Sequence, residues 1–261
     1  EGSDELGAQK LYELRYPHAM RIVWHPFNPN RFLLLTRTYD DAEWDNSPRS
    51  VASIVETSKL KTTMENGHSV CECGSDKVLE GASQLFVSTK ENSGANDVSW
   101  SHVKDARHVI TGHDDGKVRL WDVTKTDGLG VTCVHELDVT SGVVESHDKR
   151  VTRVLFLSQY ESIGSKEALT PPFIVGTEMN QAISLWSSFP SNGDAPQRLR
   201  VFRLAGVGSS FVNVELCPAP YRPPVSSSSP PIPSSFLLLA ERQKGCVHAL
   251  HIETEWKKDT S

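Results

Sequence analysis

Apolar and polar positions alternate along short runs separated by turn formers, and the clearest run is His108 to Asp122, HVITGHDDGKVRLWD. An apolar strand from His108 to Thr111 leads into an acidic turn of His113, Asp114, Asp115 and Gly116, and a second alternating strand ends at Trp121 and Asp122. A period of two marks a strand buried on one face, and Asp-Gly between two such strands predicts a tight hairpin. The same register returns twice. Ala182 to Ser187 (AISLWS) follows FIVGTEMNQ as KVRLWD follows HVITGHDDG, and Cys246 to Ile252 (CVHALHI) follows FLLLAERQKG with Leu250 in the tryptophan position. Recurrence in a fixed order predicts a repeat architecture, each copy one supersecondary unit.

Further β-rich runs supply the remaining strands. First strands are expected at Arg21 to Arg31, Asn96 to Arg107, Arg150 to Gln159 and Phe211 to Pro220, and outer strands at Leu85 to Thr89, Cys133 to Val139 and Arg198 to Leu204. A four-stranded unit closing on Trp-Asp is the sequence signature of a WD40 blade. The expected fold class is therefore all-β: a WD40 β-propeller segment over 11–255, about four blades of a seven-bladed ring, flanked by polar tails at 1–10 and 256–261. Three long loop insertions are expected, at 46–81, 161–172 and 221–235, the last a Pro/Ser tract with no strand pattern. Leu11 to Tyr16 (LYELRY) reads as an outer strand with no inner strands before it, able to complete the last blade. Four blades closing on themselves is the alternative to an arc of a larger ring.

Composition narrows the function. Over 261 residues the formal net charge is −6 and 38% of positions are hydrophobic, which favours a globular chain without a bulk basic field for nucleic acid. With no apolar run of about 18 residues, and a polar start (EGSDELGAQK), no membrane contact is expected and the chain reads as intracellular. Five cysteines, an odd number spread along the chain, do not resemble a disulfide framework. His68, Cys71 and Cys73 are close enough for metal ligands, but the fourth ligand is missing and a plain loop is the stronger reading. No metal and no cofactor is expected.

Candidate chemistry is sparse. His113, Asp114 and Asp115 resemble an acid/base set, yet between two strands Asp and Gly supply turn geometry. The structural positions of the repeat are then His113, Asp115, Trp121, Asp122, His147 and Trp186, with both tryptophans as wedges between blades. Ala205 to Ser210 (AGVGSS) lacks the lysine and helix of a phosphate loop, and no nucleophile elbow or zincin motif occurs, so no enzyme activity is expected. Basic residues recur at Lys149, Arg150 and Arg153, and at Arg198, Arg200 and Arg203. The last three are expected on one face of an outer strand. A solvated face is the plain reading; a patch for an acidic peptide or an RNA backbone is the other.

The ordered set RIVWHPFNP, HVITGHDDGKVRLWDV, SHDKRVTRVLFL, FIVGTEMNQAISLWSS and FLLLAERQKGCVHALHI resembles the N-terminal WD40 region of the enhancer-of-mRNA-decapping scaffold family, with its plant, Varicose-like branch the nearest. The resemblance implies a non-enzymatic protein-interaction scaffold. Such scaffolds join the decapping catalytic subunit to the decapping activator and other mRNA decay factors in cytoplasmic processing bodies, promoting 5′ cap removal. It also implies self-association through regions outside this chain. RNA binding through the basic patch, and a hydrolase built on the central channel, remain the readings from other classes.

Overall fold

The computed structural model describes residues 12–15, 19–38, 49–72, 81–87, 94–101, 106–126, 131–140, 149–157, 169–177, 182–203, 211–218, 235–241 and 247–252. In chain order, β1 (Tyr12–Arg15), β2 (Ala19–His25), β3 (Asn28–Thr38) and β4 (Arg49–Glu56) precede a 3-10 turn at Thr57–Lys59, then β5 (Thr63–Glu65), β6 (His68–Glu72) and β7 (Ser83–Val87). The second group is β8 (Ala95–Trp100), β9 (His108–His113), β10 (Lys117–Thr126) and β11 (Val131–Asp138). The third is β12 (Val151–Phe156), β13 (Phe173–Thr177), β14 (Ala182–Trp186) and β15 (Arg198–Arg203), and the fourth is β16 (Phe211–Pro218), β17 (Ser235–Glu241) and β18 (Val247–Ile252).

Each group is an antiparallel meander, with sheet orders β2-β3-β4-β7, β8-β9-β10-β11, β12-β13-β14-β15 and β16-β17-β18. Inner strands meet in succession, β2 against β8, β8 against β12 and β12 against β16. The fold is all-β, and the described residues form four propeller blades, the fourth with three described strands, stacked face to face in an arc. Two apolar layers fill the described gaps: Leu33, Leu35, Ile54 and Leu85 of the first blade meet Val98, Trp100 and Trp121 of the second, while Ile110, Leu120 and Leu137 meet Val154, Phe156, Phe173 and Trp186 of the third. Alternation makes this possible, since successive residues of each central strand serve opposite layers.

Bulges fix the repeat register. In the outer strand, one residue is skipped opposite Ala52/Ser53, Leu120/Trp121 and Leu185/Trp186, leaving Leu85, Val134 and Leu199 as the extra residues. In the first blade this bulge lies two residues earlier, and Val55, paired through Phe32 to Trp24, occupies the slot that Trp121 and Trp186 occupy in the next two. Leu250 pairs with Leu237 in the matching slot of the fourth.

Two expectations change. The stretch 46–81 is not a loop insertion: Arg49–Glu56 is the central strand β4, with Val51 to Val55 buried, and β5 and β6 form a hairpin. Without a tryptophan in its slot, β4 carried no repeat signal, and its serines hid an inward strand. The N-terminal strand does not pair with the last blade either. Tyr12–Arg15 runs parallel to β6, making a small sheet of order β1-β6-β5 that packs Leu14 and Cys71 against Phe32, Leu34 and Val55 on the outward face of the first blade. Of the other two insertions, 158–168 and 219–234 lie outside the described residues, as do both tails. Leu169 to Pro172 is tied in through Leu169 N donating to Phe189 O and Leu157 N to Pro172 O, 2.8 and 2.9 Å.

Candidate interaction face

The conspicuous residues of the hairpin are structural. Trp121 Nε1 donates to Thr111 Oγ1 at 2.8 Å, and Thr111 Oγ1 lies 2.7 Å from His113 Nε2, so the hydroxyl links the two rings. Both rings also touch Phe86 of the first blade, at centroid distances of 4.8 and 5.8 Å. His113 is fully buried, so it cannot serve an external substrate. Trp186 keeps the wedge position but finds its acceptor in its own strand, Ser184 Oγ at 2.8 Å, with the Arg198 guanidinium 5.8 Å from its ring centre.

Asp115 accepts the Lys117 amide at 3.1 Å and the Arg119 guanidinium at 2.7 Å, closing the turn. Gly116 completes it at φ +81, with Thr140 so near that a Cβ there would come within 2.8 Å of its methyl carbon. Asp122 accepts the Thr124 hydroxyl at 2.6 Å, the Thr124 amide at 3.1 Å and Arg107 at 2.7 Å. Burial by itself would raise this carboxyl, but the Thr124 and Arg107 contacts outweigh it and hold the pKa at about 2. His147 lies outside the described residues.

The basic residues do not form one patch. Arg150 and Arg153 lie at the start of an inner strand, whereas Arg198 and Arg200 lie on β15, the opposite edge of the same sheet and about 14 Å away at three strand spacings. The three outer arginines do not share a face as expected. The bulge at Leu199 pairs Arg198 with Trp186 and Arg200 with Leu185, adjacent positions whose side chains point to opposite sides. Alternation read directly from the sequence misses this, because a bulge shifts the parity. Arg203 pairs with Ala182. Lys149 is exposed beside Arg150.

Around Arg150 and Arg153 the structure assembles residues that the sequence did not connect. Asp97 of β8 is fully buried, with Arg21 Nε of β2 at 2.8 Å and Arg153 of β12 at 3.7 Å. Its Oδ2 accepts the Val154 amide at 2.9 Å, and two residues on, Ser99 Oγ accepts the Phe156 amide at 3.3 Å. Side chains of one inner strand thus cap amides on the exposed edge of the next, which would otherwise lack acceptors. Burial pushes the Asp97 carboxyl up, and the two arginines and the amides of Val154 and Val98 pull against it.

A second tier lies beside it at the strand-start end. Arg37 donates to Asn96 Oδ1 at 2.9 Å, and Asn96 donates to Asp114 Oδ1 at 2.8 Å and to Val151 O at 3.1 Å. Arg37 and Arg150 both stand near Asp114, at 3.5 and 3.3 Å. Asn96 is the extra residue of a bulge between Ala95 and Asp97, which aims it out of the ladder and toward the neighbouring blades. Adjacent Asn96 and Asp97 at the start of a first strand were the available signal.

The metal candidate separates. His68 and Cys71 are three apart on β6 and face opposite ways: His68 meets Glu13 at 3.1 Å while Cys71 is buried in the apolar layer. Cys73 lies outside the described residues. Among the described residues no three His, Cys, Asp or Glu side chains gather around a metal position.

No family model and no curated protein matches this chain. Solved structures do. It is similar to Sqt1 of Chaetomium thermophilum, solved with the N-terminus of ribosomal protein L10, at 11% identity and TM-score 0.44 over 86% of this chain and 47% of that one. The β-propeller domain of Cps50 (Swd1) from Myceliophteria thermophila matches at 11% and 0.47 over 94% and 64%. KlAtg21, solved with the coiled coil of AgAtg16, matches at 11% and 0.39 over 90% and 57%. The chain spans less than two thirds of each.

Proposed function

We propose that this arc of blades is the docking part of a non-enzymatic protein-interaction scaffold of the mRNA-decapping type, bringing the decapping catalytic subunit and its activator together in cytoplasmic processing bodies. The observation that carries the docking reading is the composite surface at the strand-start end. Arg37 comes from the first blade, Asn96 and Asp114 from the second and Arg150 from the third, and together they form one partly exposed polar face. A surface built across blades recognises a partner segment through geometry that no single blade supplies. The hairpin residues that looked capable of chemistry are engaged in turns and wedges, which supports binding over catalysis.

The decapping assignment rests on the order of the blade segments in the sequence. Affinity capture with the tagged chain from cell extract tests it: decapping or decay factors are expected among the captured proteins, and a capture that holds none of them overturns the assignment. The tagged chain is likewise expected in cytoplasmic foci that contain the decapping enzyme, with diffuse or nuclear signal as the contrary outcome.

A further inference from the structure

The chain holds two Asn-Gly dipeptides, Asn66-Gly67 and Asn192-Gly193. At such a pair the backbone most readily attacks its own side chain, because no Cβ on the glycine hinders the approach of its amide nitrogen. Both pairs are exposed, and a Cβ built on either glycine would meet no atom within 4 Å. What differs is the hold on the asparagine. Asp194 grips both ends of the Asn192 amide: its carboxylate accepts Nδ2 at 2.6 Å, and its backbone N–H donates to Oδ1 at 3.1 Å. Among the described residues no hydrogen bond holds the Asn66 side chain. Asn66 and Gly67 form the turn between β5 and β6, at φ +48 and +82, and pairing stops at Glu65 and His68, which leaves the Gly67 amide outside the ladder.

The residues flanking this turn anchor the N-terminal strand. Glu65 accepts Arg15 at 2.6 Å, His68 meets Glu13 at 3.1 Å, and Glu72 takes the other arm of Arg15 at 3.0 Å. Four-residue β1 belongs to no blade, and these contacts, with Leu14 in the apolar layer, hold it against β6.

We propose that Asn66 is a spontaneous deamidation site whose products release β1 from the first blade. The Gly67 nitrogen gives up its proton to solvent and attacks Asn66 Cγ. A C–N bond forms, the Cγ–Nδ2 bond breaks, and Nδ2 leaves as ammonia with a proton taken from solvent. Water then opens the cyclic imide at either carbonyl, giving aspartate or isoaspartate, so the sum is one water consumed and one ammonia released with no change of oxidation state. Asp-Gly keeps the turn, but isoaspartate routes the chain through the former side chain and adds a backbone carbon, which breaks the Glu65–His68 pairing. Either product sets a new carboxylate beside Glu65, in a sheet where Glu13, Glu65 and Glu72 already face one Arg15. Both anchors of β1 loosen together.

This inference does not depend on the docking reading above. The test ages the full chain in warm, mildly alkaline buffer and follows it by mass spectrometry of tryptic fragments. Asn66 is the one side-chain amide in the fragment 62–77, so a mass gain there reports it alone. That gain is expected to accumulate at least about tenfold faster than the gain at Asn192, whose amide must first break two hydrogen bonds. Brief trypsin treatment of the undenatured chain reads the strand: cleavage after Arg15 is expected to be at least about threefold faster in aged than in fresh protein, as a local element opens. In Asn66→Gly, whose Gly-Gly pair suits the same turn, ageing is expected to change neither readout. Absence of a mass gain in 62–77, or equal rates at Asn66 and Asn192, overturns the proposed site. A mass gain with unchanged cleavage after Arg15 overturns the release of β1, as does aged Asn66→Gly cleaving as fast as the aged wild type.

Discussion

The outward face of the first blade and the corresponding face of the second carry the same apolar register and meet different neighbours. In the second and third blades, Trp100 and Phe156 occupy matching inner-strand positions and are 0% exposed. Trp24 holds that position in the first blade, three residues past the strand-start bulge, and is 56% exposed, with Ile22 two residues before it at 51%. The central strands show the complementary pattern. Trp121 and Trp186 wedge against the preceding blade, whereas Val55 fills the same slot in the first and packs with Leu14 and Cys71 of the small sheet of β1, β5 and β6. Blade geometry sets which side each residue points to. Its contribution to stability depends on what stands opposite.

Replacing matched residues sharpens the contrast. Trp100→Ala removes a side chain packed between two blades, whose Nε1 donates to Val23 O at 3.1 Å and whose ring meets His25 at 4.8 Å. A loss of about 3–5 kcal/mol is expected, against no more than about 1 kcal/mol for Trp24→Ala. Urea denaturation of the two variants decides it, and equal losses would mean that the exposed face is as engaged as the buried one. Asp97→Asn tests the inner-strand bridge: the amide oxygen still accepts the Val154 N–H, but the buried charge facing Arg21 and Arg153 is removed, at an expected cost of about 2–3 kcal/mol in the same assay.

The third effect is smaller and depends on pH. The Asp122 carboxyl is held at about 2, below its ordinary 3.8, so its contribution is complete above pH 3.8 and declines as pH falls toward 2. Solvent screening at the half-open Arg107 end keeps that contribution to about 1–2 kcal/mol. Asp122→Asn is therefore expected to flatten the acid limb of a stability-versus-pH curve measured by thermal melts, and an unchanged limb would place the acid sensitivity elsewhere.

Much of the architecture is legible in the residues because alternation and turn chemistry are local. HVITGHDDGKVRLWD announces its hairpin through Asp115-Gly116, and the outer strands at Ser83–Val87, Val131–Asp138 and Arg198–Arg203 stand where their patterns place them. β4 escaped because VASIVETS carries Val55 at the tryptophan slot and serines on either side. The shared face assigned to Arg198, Arg200 and Arg203 failed twice: Arg200 and Arg203, three apart, alternate to opposite faces, and the bulged Leu199, which no alternation rule anticipates, parts Arg198 from Arg200. The candidate site was half visible. Arg150 and Arg153 stood out as charges, but Arg21, Arg37 and Asp97 looked like ordinary strand residues.

The sequence by itself determined the strand repeat, its turns and the sidedness of each blade, since these follow from period-two alternation and from residues a few positions apart. Only the tertiary structure decided which of those faces is buried, where the N-terminal strand pairs, and that Asp97 lies between Arg21 and Arg153. Burial and charge pairing depend on groups brought together from distant parts of the chain, and nothing local to Ile22 or Trp100 tells the open face from the closed one.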